Sequence, residues 1–421
     1  GSVVATGHTT SVRVVAQGMR FTPNTIEVPT GDRLVIELVN EDPSTTHDLV
    51  FANGTGTRRL DPGATDRLDV GLIGGTLDGW CSVVGHRQMG MVFTVTSSGG
   101  GTLVQNPDHQ MAQGDSSGST PTVDLHGTPG SAYQTVDPAL PPAGPGRVHK
   151  VTFTVEEVSL EVAPGVWQKR WTFNGAVPGP TLRGKVGDVF EVTLVNHGSM
   201  GHSIDFHAGA LAPDAVMRTI PPGASLVYRF TAQRSGIWMY HCSTMPMSAH
   251  IAAGMHGAVI IDPPGLPAVD REYLLVQSEV YLGANHGSRD GASEVDFGKV
   301  RAERPDAVVF NGIASQYDHR PLTAKVGERV RIWLLDAGPN RPTSFHTVGG
   351  QFDTTYAEGR YLLRAAPGEP DAPGGSQVLG LLAAQGGFVE LTFPEPGHYP
   401  IVSHIMVDAE RGAHGIVEVT N

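Results

Sequence analysis

Three times along this chain a glycine and an acidic residue open a run of alternating side chains that closes on Asn or Asp. Gly31-Asp32 leads into RLVIELVN, ending at Asn40. Gly187-Asp188 leads into VFEVTLVN, ending at Asn196, and Gly327-Glu328 leads into RVRIWLLD, ending at Asp336. A period of two marks a half-buried strand. A histidine follows each run within six to ten residues: His47, His202 and His346. The three turns lie 156 and 140 residues apart, beyond the roughly 20–50 residues of a solenoid repeat. They predict three homologous β domains, each an antiparallel Greek-key β-sandwich, in an all-β protein. The 54 glycines and 31 prolines supply the many turns such a chain needs.

The expected boundaries are residues 1–97 for the first domain, 147–265 for the second and 266–421 for the third. Between the first two, residues 98–146 contain SSGGG, GDSSGS and PALPPAGPG. This texture predicts a linker, flexible first and stiffer near its prolines, with His109 and His126 as linker residues.

The chemistry concentrates in GIWMYHCSTMPMSAHIAAGMHG, residues 236–257. Cys242 is followed by His250 eight positions on and Met255 five beyond that. A thiolate, an imidazole and a thioether, joined by a second imidazole from His202, form the trigonal set with a weak axial Met that suits electron-transfer copper. Zinc would more often show paired cysteines, and there is no second cysteine nearby. The first domain repeats the set as His47, Cys81, His86 and Met91, with Met89 an alternative to Met91. A Cys81–Cys242 disulfide is the competing use of the only two cysteines, but it would not need a His and a Met beside each.

Strand parity then predicts a second site. Neighbours on a strand point to opposite faces. If Cys242 faces the domain interior, His241 faces out, joined by Asp205 and His207 from HSIDFHAG. In the third domain, matching YPIVSHIMVDAERGAHG to the second-domain tail puts His404 where His241 falls, Ile405 where Cys242 falls and Ala413 where Met255 falls. His346 falls near the phase of His207. The first domain shows the converse, with Trp80 for His241, Val50 for Asp205 and Ala52 for His207. One domain thus carries inner ligands only, one outer ligands only, and the middle one both.

The formal net charge of −13 argues against nucleic acid, which needs a basic face, and leaves room for a basic redox partner. No apolar run reaches the ~18 residues of a membrane span. Gly1-Ser2 reads as a mature or engineered start with no signal peptide left to read.

From about Arg147 to Asn421 the residues HSIDFHA, YHC followed by H and GM, SFHTVGG and SHIMVDAERGAHG resemble the copper-containing nitrite reductase family. Residues 12–96 resemble a blue-copper cupredoxin fused ahead of it. The resemblance implies three cupredoxin-like domains, with two type 1 coppers and one type 2 copper per chain. It implies type 1 ligands His202, Cys242, His250 and Met255 in the middle domain, and His47, Cys81, His86 and Met91 in the first. It implies type 2 ligands His207, His241 and His404, with Asp205 and His346 catalytic. The implied reaction is the reduction of nitrite to nitric oxide. An electron-donor protein (a cupredoxin or a cytochrome c), a homotrimer and a periplasmic or other extracytoplasmic location come with it. Two positions depart from many members: Ala249 stands where a Trp precedes the type 1 His, and Val348 where an Ile follows the catalytic His. The rivals are a laccase-type multicopper oxidase, disfavoured because no His-x-His pair occurs in the chain, and a non-enzymatic copper carrier, which would need no outward histidines.

Overall fold

The computed structural model describes residues 4–83, 86–87, 91–98, 124–125, 127–364 and 374–421. The chain divides into two compact units, Gly1–Val123 and Asp124–Asn421. His109, His126 and Met89 lie outside the described residues.

Each of the three motif strands does the same job. Arg33–Asn40, Val189–Asn196 and Arg329–Asp336 all sit inside a sheet, between two partners. On one side each runs parallel to its domain's opening strand: Thr9–Gln17, Val148–Ala163 and Arg271–Val280. On the other each runs antiparallel to Thr65–Leu72, Ser225–Thr231 or Gly386–Thr392. The sheets are therefore mixed rather than wholly antiparallel as expected, because a Greek-key return brings the opening strand alongside in the same direction. The turn before each motif strand has its glycine at positive φ, 90° at Gly31, 91° at Gly187 and 80° at Gly327, a conformation a side chain would strain.

A second sheet completes each sandwich. In the first unit it holds Thr25–Pro29, Val92–Ser98, Leu77–Trp80 and Val50–Phe51. Phe93 from this sheet meets Phe21 of the other edge to face at 6.2 Å. In residues 148–262 it holds Leu182–Lys185, His256–Asp262, Gly236–His241 and Asp205–Phe206. Tyr240 from this sheet packs on Phe153 and Phe173 of the facing one at 5.2 and 5.6 Å. In residues 271–420 the two sheets have six and five strands and enclose Leu275, Ile332, Leu334, Phe345, Ile401 and Val417. The fold is all-β and built of cupredoxin-like sandwiches.

The last two sandwiches share a further core. Ile237, Met239 and Ile260 of one interlock with Leu274, Val276, Trp333 and Phe388 of the other, all buried. Full burial of such side chains stabilises by about 1.5–3 kcal/mol each. Arg183 reinforces the junction, pairing with Asp262 at 2.9 Å and Glu272 at 2.9 Å. No helix among the described residues is long and apolar enough to cross a membrane.

Candidate metal centres

Strand Gly236–His241 delivers Cys242 to the bottom of the middle sandwich. There Cys242 Sγ lies 3.3 Å from His250 Nδ1 and 3.8 Å from His202 Nδ1. Cys242, His202 and Met255 have no exposure and His250 has 3 %. Two backbone bonds pinch the loop shut: Cys242 N–H donates to Met255 O and Met255 N–H to His250 O, both at 3.1 Å. Burial holds His202 below the ordinary imidazole range and His250 at about 3. Burial disfavours the Cys242 thiolate, yet the His202 contact and backbone N–H groups of Ser203 and Thr244 bring the thiol below its usual value. Two imidazoles converging on a buried cysteine sulfur are the donor set that suits a soft metal ion.

Trp171 packs on His250 with ring centroids 4.7 Å apart, so an aromatic wall reaches that histidine from strand Val166–Phe173 although its preceding residue is Ala249. Beside it, Arg170 is wholly buried. Its Nη1 donates to Gln168 Oε1 at 2.6 Å, while Nε and Nη2 have no hydrogen-bond partner among the described residues.

The first unit builds the same cradle. Cys81 Sγ lies 3.4 Å from His86 Nδ1 and 3.9 Å from His47 Nδ1. Cys81 N–H donates to Met91 O at 3.1 Å and Met91 N–H to His86 O at 3.0 Å. The surroundings differ. Asp48 accepts the Ser82 N–H at 2.6 Å and its hydroxyl at 2.5 Å. Burial, then the Asp48 charge, pushes the Cys81 thiol far up.

On the other face of the middle domain, His207 Nε2 and His241 Nε2 approach to 3.0 Å. Asp205 Oδ2 is 3.6 Å from His207 Nε2, and Asp205 pairs with His241 across the ladder. His241 Nδ1 donates to Cys242 O at 3.0 Å, which leaves its Nε2 lone pair for a cation. Two imidazole lone pairs this close need a proton or a metal between them. Burial and the neighbouring His241 ring hold His207 below the ordinary range, against the pull of Asp205. Tyr228 donates to Asp205 Oδ1 at 3.3 Å; burial, then that carboxylate, pushes its phenol up to about 12.

His404 and His346 pair with each other, ring centroids 5.5 Å apart. His346 Nδ1 donates to Gln377 O at 2.6 Å. Among the described residues the metal-competent group around His207 and His241 is completed by Asp205, and His404 does not belong to it. Within one chain, His207–His241 and His346–His404 are therefore two separate pairs.

The backbone corrects the expected third-domain alignment. His241 pairs with His256 and Trp80 with Val92, but the residue opposite His414 is Val402. The bond from Cys242 N–H to Met255 O recurs as Ser403 N–H to Ala413 O. Ser403, not Ile405, thus stands in the cysteine's place, and His404 is the residue after it. His346 faces Val402 as Asp205 faces His241, so it takes the register of Asp205 rather than of His207. The loop is three residues shorter, ten residues from Ser403 to Ala413 against thirteen from Cys242 to Met255, so histidine does not match histidine across it.

Comparison with known proteins gives the class first. Residues 3–92 match the cupredoxin-like domain model and residues 154–265 the multicopper oxidase model. With the two buried His–Cys–His clusters, the fold and sites define a cupredoxin-type copper protein. The copper-containing nitrite reductase of Neisseria gonorrhoeae is 35% identical over 298 residues, 68% of this chain and 73% of that protein. That of Neisseria meningitidis is 34% identical over 313 residues, 72% and 76%. The solved copper nitrite reductase of Nitrosomonas europaea superposes with a TM-score of 0.57 at 34% identity, covering 65% of this chain and 94% of that one. The chain belongs to the copper-containing nitrite reductase family, and it is an oxidoreductase.

Proposed function

We propose that the protein reduces nitrite to nitric oxide, NO2− + e− + 2 H+ → NO + H2O, at a type 2 copper fed by a type 1 copper. The observation that carries this reading is that Cys242 and His241, one peptide apart, belong to two different ligand clusters. His202, Cys242, His250 and Met255 would hold the type 1 copper, and His207 and His241, with His404, the type 2 copper. Bound copper supplies one-electron chemistry and a Lewis-acidic seat for an anion. The Cys242–His241 step keeps the electron path near 10 Å, one Cα spacing of ~3.8 Å plus two side chains. Asp205, held by Tyr228, is placed to pass a proton to a nitrite oxygen, and His346 to deliver the second.

His404 would reach the His207–His241 pair of a neighbouring copy, so that a ring of three closes three sites. His47, Cys81, His86 and Met91 would hold a second type 1 copper, taking electrons from a donor cupredoxin or cytochrome. An extracytoplasmic location follows from this family reading. A laccase-like oxidase lacks support, since no His-x-His pair occurs.

His207→Ala decides the matter. The variant should keep both blue absorptions, because its side chain lies opposite the inner ligands, and lose nitrite reduction. Full activity in copper-replete His207→Ala would sink the assignment.

A further inference from the structure

The third sandwich keeps a copper cradle without copper ligands. Its loop is closed by the same two backbone bonds as the others: Ser403 N–H to Ala413 O and Ala413 N–H to Asp408 O, both 3.0 Å. Asp408 therefore stands where His86 and His250 stand, and Ala413 where Met91 and Met255 stand. Thr343 bridges Leu381 as His47 bridges Leu60 and His202 bridges Ile220, so Thr343 takes the place of the first histidine. Thr, Ser, Asp and Ala offer no soft donor.

Something else holds this loop. Arg341 Nε donates to Asp408 Oδ2 at 2.7 Å, and the Asp408 side chain has no exposure. Arg341 is itself anchored, its backbone N–H donating to Glu279 Oε1 at 2.7 Å. Helix Met406–Glu410 buries only Asp408 and Ala409, while Met406 and Val407 are about half exposed, 47 % and 51 %. Apolar packing thus contributes little to seating this helix, and the ion pair is the side-chain contact that joins the backbone bonds in holding it. The pair also joins the two segments that matter. Arg341 lies two residues before strand Thr343–Thr347, which carries His346, and Asp408 lies four residues past His404. Between them His404 N–H donates to Ser344 O at 2.6 Å and Ser344 N–H to Ser403 Oγ at 3.4 Å.

We propose that the ion pair of Arg341 with the buried Asp408 replaces the metal as the clamp of the third cradle and so positions His404 and His346. Arg341 and Asp408 are positioning residues: the guanidinium supplies the positive charge that a copper ion would bring, from the protein itself. The clamp stands on geometry alone; its consequence for the type 2 copper rests on the reading of His404 as a ligand.

The test uses the full chain, copper-free and copper-loaded, with the near-isosteric Asp408→Asn, the charge-deleting Arg341→Met and the charge-keeping Arg341→Lys. Hydrogen exchange in the copper-free protein should quicken about tenfold or more across residues 404–413 in the first two, and less in Arg341→Lys. In the copper-loaded protein a chelator should strip the type 2 electron paramagnetic resonance signal at about tenfold lower concentration, with both blue absorptions unchanged. Wild-type exchange over 404–413 in folded Asp408→Asn would overturn the clamp. Faster exchange with undiminished type 2 retention would leave the clamp standing and remove His404 from the ligand set. Should Arg341→Met fail to fold, Asp408→Asn and Arg341→Lys decide the outcome alone.

Discussion

The first and middle cradles present the same donors in differently charged surroundings. Beside the first lie two carboxylates, Asp48 against Ser82, with the Arg59 guanidinium 4.0 Å from it, and Asp42 3.5 Å from His47 Nε2. Beside the middle one the residue after the first histidine is Ser203, whose N–H donates to Cys242 Sγ at 3.4 Å. The buried Arg170 adds a positive charge there: its Nε sits 3.1 Å from where a Cβ on Gly254 would be, next to Met255. Negative charge stabilises the oxidised, dipositive copper, whereas positive charge and N–H donors to sulfur favour the reduced one. Equal ligand sets thus need not mean equal potentials. On the proposed copper assignment, the direction of the difference gives the first site the lower potential.

The sharpest way to break this comparison is to delete each sulfur. Cys242→Ser should abolish nitrite reduction with every reductant, while Cys81→Ser should remove one blue absorption yet keep turnover with a small-molecule reductant. Equal losses in both variants would show that the first cradle is as necessary as the middle one. A smaller effect is expected at the outer pair. Asp205→Asn should lower kcat roughly 10²-fold with type 2 copper retained, and near-wild-type rates from pH 5 to 8 would reduce Asp205 to scaffolding. The smallest effect tests the charges themselves. Two unit charges about 8 Å apart at an effective dielectric near 20 interact by about 2 kcal/mol. Asp48→Asn should therefore shift the electron distribution between the two coppers at least tenfold toward the first, and Arg170→Met should shift it the same way by lowering the middle potential. A redox titration of the two blue absorptions reads both, and unmoved potentials would make the flanking charges irrelevant.

Much of this was legible in the sequence because chemistry restricts the letters. Four soft donors in fixed order have few other uses, and Cys242, His202 and His250 do converge. The motif strands were legible because burial on one face forces alternation. In the third domain the histidines do not mark the cradle, whereas the spacing does. Ser403, Asp408 and Ala413 are separated by five and five residues, as are Cys81, His86 and Met91; that count alone would have placed the cradle. The Arg341–Asp408 pair had no such signal. Its partners are 67 residues apart, and an Arg and an Asp at that separation look like any surface charges. Nor could the sequence show Arg170 to be buried, since arginines are mostly exposed.

Strand Gly236–His241 carries one more consequence. Ile237 and Met239 alternate with Tyr240 and press on the core shared with the third sandwich, and His241 continues their face. The inner cluster hangs from the opposite face and from a loop closed by its own backbone bonds. On heating, then, the molecule should fail in sequence: whatever loosens the seam between the two sandwiches disturbs His241 first, so catalytic function should fade while the solution is still blue.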